Sequence, residues 1–351
     1  MNKKKNNKPH KFPVAIKHAL CMRASNKCTI CQILTSLAAK DSQDGFINIG
    51  EAAHICAASP SGARYNSQMT KTERTNIRNG IWLCSTCHTT IDRDLALYTP
   101  KYLQELKKKH EYDSAVESNI NFVAVGQETV FYGKLIKYES RNVQFCINNF
   151  LIGDLGVLTK FIEKFENVKP VDRFVLINEL GYGRHIAKAP TITICENNYI
   201  LSLETLDSTT LINPSEIPAD LVLDDKGDLL IVNNDLTLKK GLSILPQRIK
   251  QVLSMKKGEW FLNPSLGTRI QEYCTLFNDS PILGQLIKLE VIRMSCIPYN
   301  EGLDTPLLCV SRVTQVEQLS ITSDLKQATF RFNFELEGEK PWQCELLLPI
   351  Q

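Results

Sequence analysis

Apolar positions recur along this chain in two rhythms. Leu158, Phe161, Ile162 and Phe165 fall at i, i+3, i+4 and i+7, which gathers one apolar stripe on a helix. Residues 242–255 and 282–294 read as two further amphipathic helices. Another helix starts near Pro100, with Leu103, Leu106 and His110 on one face and Lys107 to Lys109 read as its basic last turn. Residues 122–125 and 174–177 are apolar runs, and strands are predicted at 228–232 and at 310–321, 328–336 and 343–348, where apolar and polar residues alternate. The rhythms divide the chain into a tail over residues 1–13, a first domain over 14–116, an α+β middle region over 117–217 and a rear α+β region with meandering strands over 218–351. The predicted class is α+β, with no internal repeat or low-complexity block.

Composition adds little until it is divided. The 351 residues are 43% apolar and 23% charged, ordinary for a globular chain of two or three domains. No apolar run reaches the roughly 18 residues of a membrane helix, and Lys3, Lys4, Lys5 and Lys8 precede no apolar core that would make a signal peptide. A soluble, cytoplasmic protein without a membrane partner is expected. Residues 1–120 hold 18 Lys and Arg against 10 Asp and Glu, whereas the remainder holds 23 against 28. A basic front on an acidic rear suggests that the front meets a polyanion. Twelve cysteines without a secretion signal argue for free thiols or metal ligands rather than disulfides.

Cysteine spacing narrows that choice. Cys28-x-x-Cys31 and Cys84-x-x-Cys87 are two thiol pairs able to close a tetrahedral structural zinc site; packing as four small hydrophobic thiols is the alternative. Cys21 and Cys56 have no partner at ligand spacing and read as core residues. Three polar residues lie between and after the pairs: His54, Asn79, and His88 directly after Cys87. If a helix begins at Cys87, His88 and Asp92 share one of its faces and can hold one hard divalent cation, which His54 could meet from an opposing strand.

These residues resemble the HNH, or ββα-metal, endonucleases in their zinc-stabilised form. Glu51-Ala-Ala-His54-Ile, Gly62-Ala-Arg64-Tyr65, Asn79-Gly-Ile-Trp-Leu-Cys-x-x-Cys-His-x-x-Ile-Asp92 and Leu103-x3-Lys107-x2-His110-Glu111 are similar to HNH domains fused to sensor domains in bacterial anti-phage effectors. The resemblance implies hydrolysis of double-stranded DNA to 5′-phosphate and 3′-hydroxyl ends. It makes His54 the general base, Asn79 the residue that holds His54 in register, and His88 and Asp92 the ligands of Mg²⁺ or Mn²⁺. Arg64, Arg74, Arg78 and Arg93 become candidate phosphate contacts. It also implies a homo-oligomer and a phage-derived or second-messenger trigger. The sequence departs from the pattern at Ala53, where many HNH enzymes place a metal ligand before the base. Waters and phosphate, or Glu51, would then complete the shell.

The rear carries a second resemblance. Gly227-Asp228-Leu229, the amphipathic stretch to Met255, and Gly258-Glu259-Trp260-Phe261-x2-Pro264-x2-Gly267 look like the baseplate-wedge family of contractile phage tails, over residues 218–351. Glu259-Trp260-Phe261 reads as a turn with a buried aromatic anchor. Gly181-Tyr182-Gly183-Arg184 reads as a turn, with close approach to a ligand backbone as the alternative. The leading expectation is a defence nuclease regulated by its rear region. The alternatives are a phage-tail or injection-apparatus structural protein carrying a nuclease payload, and a zinc-stabilised DNA-binding module without catalysis.

Overall fold

In a computed structural model the described residues are 11–38, 46–116, 121–195, 198–207, 210–224, 227–261, 264, 266–278, 280–297, 307–322, 324 and 326–350. Residues 1–10, most of the basic tail, lie outside that set. The chain forms two compact units, residues 1–118 with 275–283, and residues 119–274 with 284–351. The spans divided in the sequence at 217/218 thus fall in one unit.

The first unit is built around an antiparallel pair, β3 (Gly50–His54) and β4 (Gly80–Cys84), in register from Gly50 opposite Cys84 to His54 opposite Gly80. Before it come helix α1 (Val14–Arg23) and a short pair, β1 (Ser36–Ala38) with β2 (Phe46–Asn48). After β3, helix α2 (Lys71–Arg74) interrupts a long loop; after β4 come α3 (Ser85–Arg93) and α4 (Pro100–Val116). Every residue of β4 is buried because helices cover both faces of the pair. Trp82 turns to α1, joining Phe12, Ile16, Ala19 and Leu20, while Ile81 and Leu83 turn the other way, to Ile91 of α3 and Leu103 of α4. Burying each large side chain of this kind contributes about 1.5–3 kcal/mol. Gly80 permits the approach of α1: a Cβ there would stand 2.5 Å from Leu20 Cδ1 and 3.1 Å from Phe12 Cζ. Helix α4 runs on to Val116, so Lys107 to Lys109 are mid-helix, not the last turn. They cannot be explained by the helix dipole, which acts only at the ends.

The second unit holds a seven-stranded antiparallel sheet. Its strands are β5 (Asn121–Val125), β6 (Thr129–Glu139), β7 (Asn142–Ile152), β8 (Phe174–Ile177), β9 (Tyr182–His185), β10 (Thr191–Cys195) and β11 (Asn198–Glu204), ordered β10-β11-β7-β6-β5-β8-β9. Helix α5 (Leu155–Glu163) and the turn after it press Leu158, Phe161, Ile162 and Phe165 onto Val123, Phe131, Phe145 and Leu201 of this sheet. Two short pairs follow, β12 (Asp220–Leu221) with β15 (Leu238–Lys239), and β13 (Ile231–Val232) with β14 (Asp235–Leu236). The strand expected over 228–232 shrinks to β13, and the aromatic anchor expected at 259–261 is exposed, Trp260 at 42% and Phe261 at 82%. Asn233 and Asn234 both adopt positive φ, 53° and 63°, and turn the chain back at once. Helices α6 (Leu245–Ser254), α7 (Ile270–Leu276) and α8 (Leu283–Cys296) precede a meander of β16 (Val310–Ile321), β17 (Gln327–Leu336) and β18 (Trp342–Pro349). Alternation in β17 buries Phe330, Phe332 and Phe334 together. Val313 N–H donates to Gly181 O at 2.9 Å and Asn178 Nδ2 to Gln285 O at 2.7 Å, which ties this meander and α8 to the large sheet. The class is α+β throughout.

Candidate active site and metal centre

The cysteine pairs sit on two knuckles. Cys28 and Cys31 lie in a tight turn closed by the Lys27–Leu34 bridge, in which Cys28 N–H donates to Ile33 O at 2.9 Å. Cys84 ends β4 and caps α3, its Sγ accepting from Cys87 N–H at 3.5 Å. All four Sγ atoms fall within 4.8 Å of one another, with Cys31 and Cys84 at 3.7 Å. Tetrahedral ligands at about 2.3 Å from zinc stand about 3.8 Å apart, so the arrangement fits such an ion. Burial pushes the Cys28 and Cys87 thiols up; at Cys31 the Ile33 N–H and the neighbouring thiols outweigh burial and draw it down. Four thiolates this close repel one another, and a cation at their centre removes that cost. A four-cysteine site able to hold a metal ion is therefore present in the first unit.

Strand alternation distributes the other polar residues. Glu51 shares the face of Ala53, toward α3, whereas His54 shares the face of Ala52, toward α1, and its ring stacks on Phe12 with centroids 4.0 Å apart and planes 14° from parallel. On α3, His88 and Asp92 are one turn apart, as their spacing predicted. Glu51 Oε2 stands 2.6 Å from His88 Nδ1, and Ser85 Oγ donates to Glu51 Oε1 at 2.9 Å. His88 Nε2 is 3.8 Å from Asp92 Oδ2. Hydrogen bonds from His88 and Ser85 hold the Glu51 carboxyl below the usual carboxylate range. The geometry thus brings Glu51, His88 and Asp92 together and sets His54 on the other face of β3.

The loop from His54 to Asn79 is fixed by buried polar side chains. Asn79 Nδ2 donates to Cys56 O at 2.9 Å and to Arg74 O at 3.1 Å, while its Oδ1 accepts from Cys56 N–H at 2.8 Å. Arg64, in left-handed backbone with φ 54°, donates from Nε to Ile55 O at 2.7 Å, from Nη1 to Ile91 O, and from Nη2 to Asp92 Oδ1 at 2.7 Å. Arg74 bonds the carbonyls of Ala57 and Asn66 and lies over the Tyr65 ring at 4.3 Å. The Arg64 side chain is 3% exposed and the Arg74 residue 4% exposed, so both guanidiniums serve the loop and neither is placed to meet a phosphate. Arg78 is half-buried, with Nη2 donating to Asn278 Oδ1 at 3.0 Å. Arg93 is exposed on α3 beside Thr86, Thr89, Thr90 and Asp94. Sequence reasoning missed the Glu51–His88 pairing and the inward role of the two arginines. Neither left a periodic signal in the sequence, because each partner is set by tertiary approach across many residues.

A strand pair whose second strand leads through a metal-knuckle cysteine into a helix bearing His88 and Asp92 is a ββα arrangement. Residues 28–96 match the family described as HNH endonuclease. No curated protein matches the chain. The chain thus carries an N-terminal HNH endonuclease domain with a four-cysteine cluster, which supports a nuclease. The match ends at residue 96, so the baseplate-wedge resemblance of residues 218–351 rests on the sequence alone. No helix among the described residues is long and apolar enough to cross a membrane.

Proposed function

We propose that this protein is a metal-dependent endonuclease that hydrolyses phosphodiester bonds of double-stranded DNA. The observation that carries the reading is the Glu51–His88–Asp92 group on the ββα element, inside the span that matches HNH endonucleases. On the sequence resemblance alone His54 is assigned as the general base, its neutral imidazole taking a proton from the attacking water, although its ring lies on the face of β3 opposite the His88–Asp92 pair. The P–O3′ bond then breaks, leaving a 5′-phosphate and a 3′-hydroxyl. Asn79 holds the backbone just past His54, and Phe12 holds its ring. His88 and Asp92 would hold Mg²⁺ or Mn²⁺; such an ion supplies stabilisation of the charge on the leaving oxygen. Two ligand atoms about 2.1 Å from one ion stand about 3–4 Å apart, and the 3.8 Å between His88 Nε2 and Asp92 Oδ2 fits. Glu51, on Nδ1 of the same ring, is then the carboxylate that orients the ligand, so Ala53 leaves no gap that Glu51 must fill. The four-cysteine cluster holds structural zinc.

The setting we propose is anti-phage defence in a bacterial cytoplasm, since the residues of the front domain resemble such effectors. An unregulated nuclease endangers its own cell, so the second unit is assigned the sensing of a phage-derived or second-messenger trigger. Cutting both strands takes two such sites, hence a homo-oligomer. Plasmid cleavage by the full chain tests the core of this reading. Cutting with Mg²⁺ or Mn²⁺ that His54→Ala abolishes and Glu51→Gln weakens is expected. Equal cutting by His54→Ala, or none by wild type with and without phage lysate, refutes it.

A further inference from the structure

The loop that leaves His54 is built to deliver one side chain. Ala57 N–H donates to Ala63 O at 3.1 Å and Gly62 N–H to Ser59 O at 3.0 Å, closing a turn so tight that a Cβ at Gly62 would stand 2.5 Å from Ala57 Cβ. Just beyond it Arg64 adopts φ 54°, a left-handed conformation that residues other than glycine seldom take. Such backbone persists only where the surroundings hold it, and it gathers at functional sites.

The guanidinium supplies that hold. Its side chain is 3% exposed and donates to three acceptors on two elements. Nε meets the carbonyl of Ile55, directly after His54, at 2.7 Å; Nη1 meets the carbonyl of Ile91, and Nη2 meets Asp92 Oδ1 at 2.7 Å. Arg64 therefore clamps the end of β3 to the last turn of α3, the turn that carries Asp92.

The clamp makes the two oxygens of Asp92 unequal. The Asp92 side chain is 45% exposed, so Arg64 grips it from the interior and leaves its outer part open. Oδ1 is taken by the guanidinium, whereas Oδ2 stands 3.8 Å from His88 Nε2. A divalent ion at Oδ1 would meet the repulsion of a fixed positive charge; at Oδ2 it has the imidazole nitrogen beside it at ligand spacing. The arrangement disfavours binding through both oxygens at once. It also depends on a planar fork, because a lysine ammonium keeps the charge but offers one flexible point in place of three fixed directions.

We propose that Arg64 is a positioning residue of the divalent-ion site: it turns Asp92 to bind the ion through Oδ2 alone and locks that ligand to the backbone following His54. The inference rests on the assignment of His88 and Asp92 as metal ligands. The probe is Mn²⁺, titrated without DNA into the zinc-loaded full-length protein and followed by the electron paramagnetic resonance of the free ion. Wild type, Asp92→Asn and Arg64→Lys are compared, with zinc content and melting measured on each. Asp92→Asn should remove the site. Arg64→Lys should keep zinc and weaken Mn²⁺ about tenfold or more, the usual effect of losing a group that orients a ligand. Its plasmid cutting should recover as Mn²⁺ is raised, with KM for DNA unchanged; a side chain that only held the loop would lower melting and leave the ion affinity alone. Mn²⁺ affinity within about twofold of wild type in folded Arg64→Lys, beside a deficient Asp92→Asn, overturns this inference and leaves the metal site standing. Wild-type affinity in Asp92→Asn overturns the site and the inference with it. A defect confined to KM and unrelieved by Mn²⁺ marks a phosphate contact and also overturns it. If Arg64→Lys does not fold, the wild-type protein decides by nuclear magnetic resonance: the Arg64 Nε–H should exchange slowly and shift as Mg²⁺ saturates the site, and a resonance that Mg²⁺ leaves unmoved refutes the role.

Discussion

Truncating Asn79 to alanine tests how the loop behind His54 is held. The amide makes three hydrogen bonds, to Cys56 N–H, Cys56 O and Arg74 O, at 2.8, 2.9 and 3.1 Å, from a residue that is itself buried. Asn79→Ala leaves all three backbone groups without that partner. Each buried group so orphaned costs about 1–3 kcal/mol, and half-buried Cys56 recovers part of that from water, so a total of about 3 kcal/mol is expected. Against an overall stability of about 5–15 kcal/mol this is a large fraction. At about 4–8 °C per kcal/mol for a domain of this size, unfolding of the first unit should come about 12–24 °C earlier. The assay is calorimetry of the full chain, with amide exchange at Cys56 reporting the loop directly. Metal content should stay at the wild-type level, because Asn79 is not a cysteine ligand. Melting within about 2 °C of wild type, with Cys56 still protected, would show that the loop is held by something else and refute the assignment of Asn79 as its clamp.

Three other perturbations give distinct outcomes. Cys84→Ser removes a metal ligand and the side-chain cap of α3 together; with structural zinc contributing on the order of 10 kcal/mol, the first unit should lose both bound metal and its folded circular-dichroism signal, and wild-type metal content would count against the four-cysteine site. At Glu290, burial raises the carboxyl while Arg293, 2.7 Å away, and Arg269 outweigh it and hold the group below its ordinary value. Its stabilisation is therefore present above about pH 4.5 and lost as pH falls through the lower folded value. Glu290→Gln should cost about 3–5 kcal/mol at neutral pH and flatten that acid limb, and an unchanged acid melting profile refutes it. Burial lowers His110, whose Nε2 lies 3.1 Å from Ala24 O, so the stability it lends holds above about pH 6.5 and erodes as pH falls toward the folded value. His110→Gln should reduce the loss of stability between about pH 7 and 5, as read by denaturant unfolding.

The sequence made the regular parts legible where one face meets a core. Alternation in β17 marks a strand because Phe330, Phe332 and Phe334 all face one interior, and the stripe Leu158, Phe161, Ile162 and Phe165 marks α5 for the same reason. The second strand of the ββα element has no alternation to read, its apolar run Ile81–Leu83 being covered on both faces. The pair β13 and β14 was not legible: its apolar residues Ile231, Val232 and Leu236 stay exposed, and backbone geometry at Asn233 and Asn234 ends the strand early. Of the site, ligand-type residues at fixed helical or knuckle spacing could be read directly, because periodicity alone places them side by side. Partners set by tertiary approach, such as Glu51 for His88 or Ile91 O for Arg64, lie many residues away and leave no periodic trace.

Charge shows most clearly why counting is not placement. Residues 1–120 hold 18 Lys and Arg against 10 acids, and that excess suggested a polyanionic partner. Yet Arg23, Arg64, Arg74 and Lys107 turn inward, onto backbone carbonyls and, for three of them, a carboxylate. Those four, with buried Glu111, should contribute little to a long DNA surface. What remains for the polyanion is the exposed set, including Lys71, Arg93, Lys101, Lys108 and Lys109, together with whatever the first ten residues add. Each phosphate neutralised contributes about 0.9 to the slope of log affinity against log salt. The measured slope for duplex DNA therefore counts the outward cations only, and it should fall by about one on replacing Arg93 with glutamine if that residue meets a phosphate.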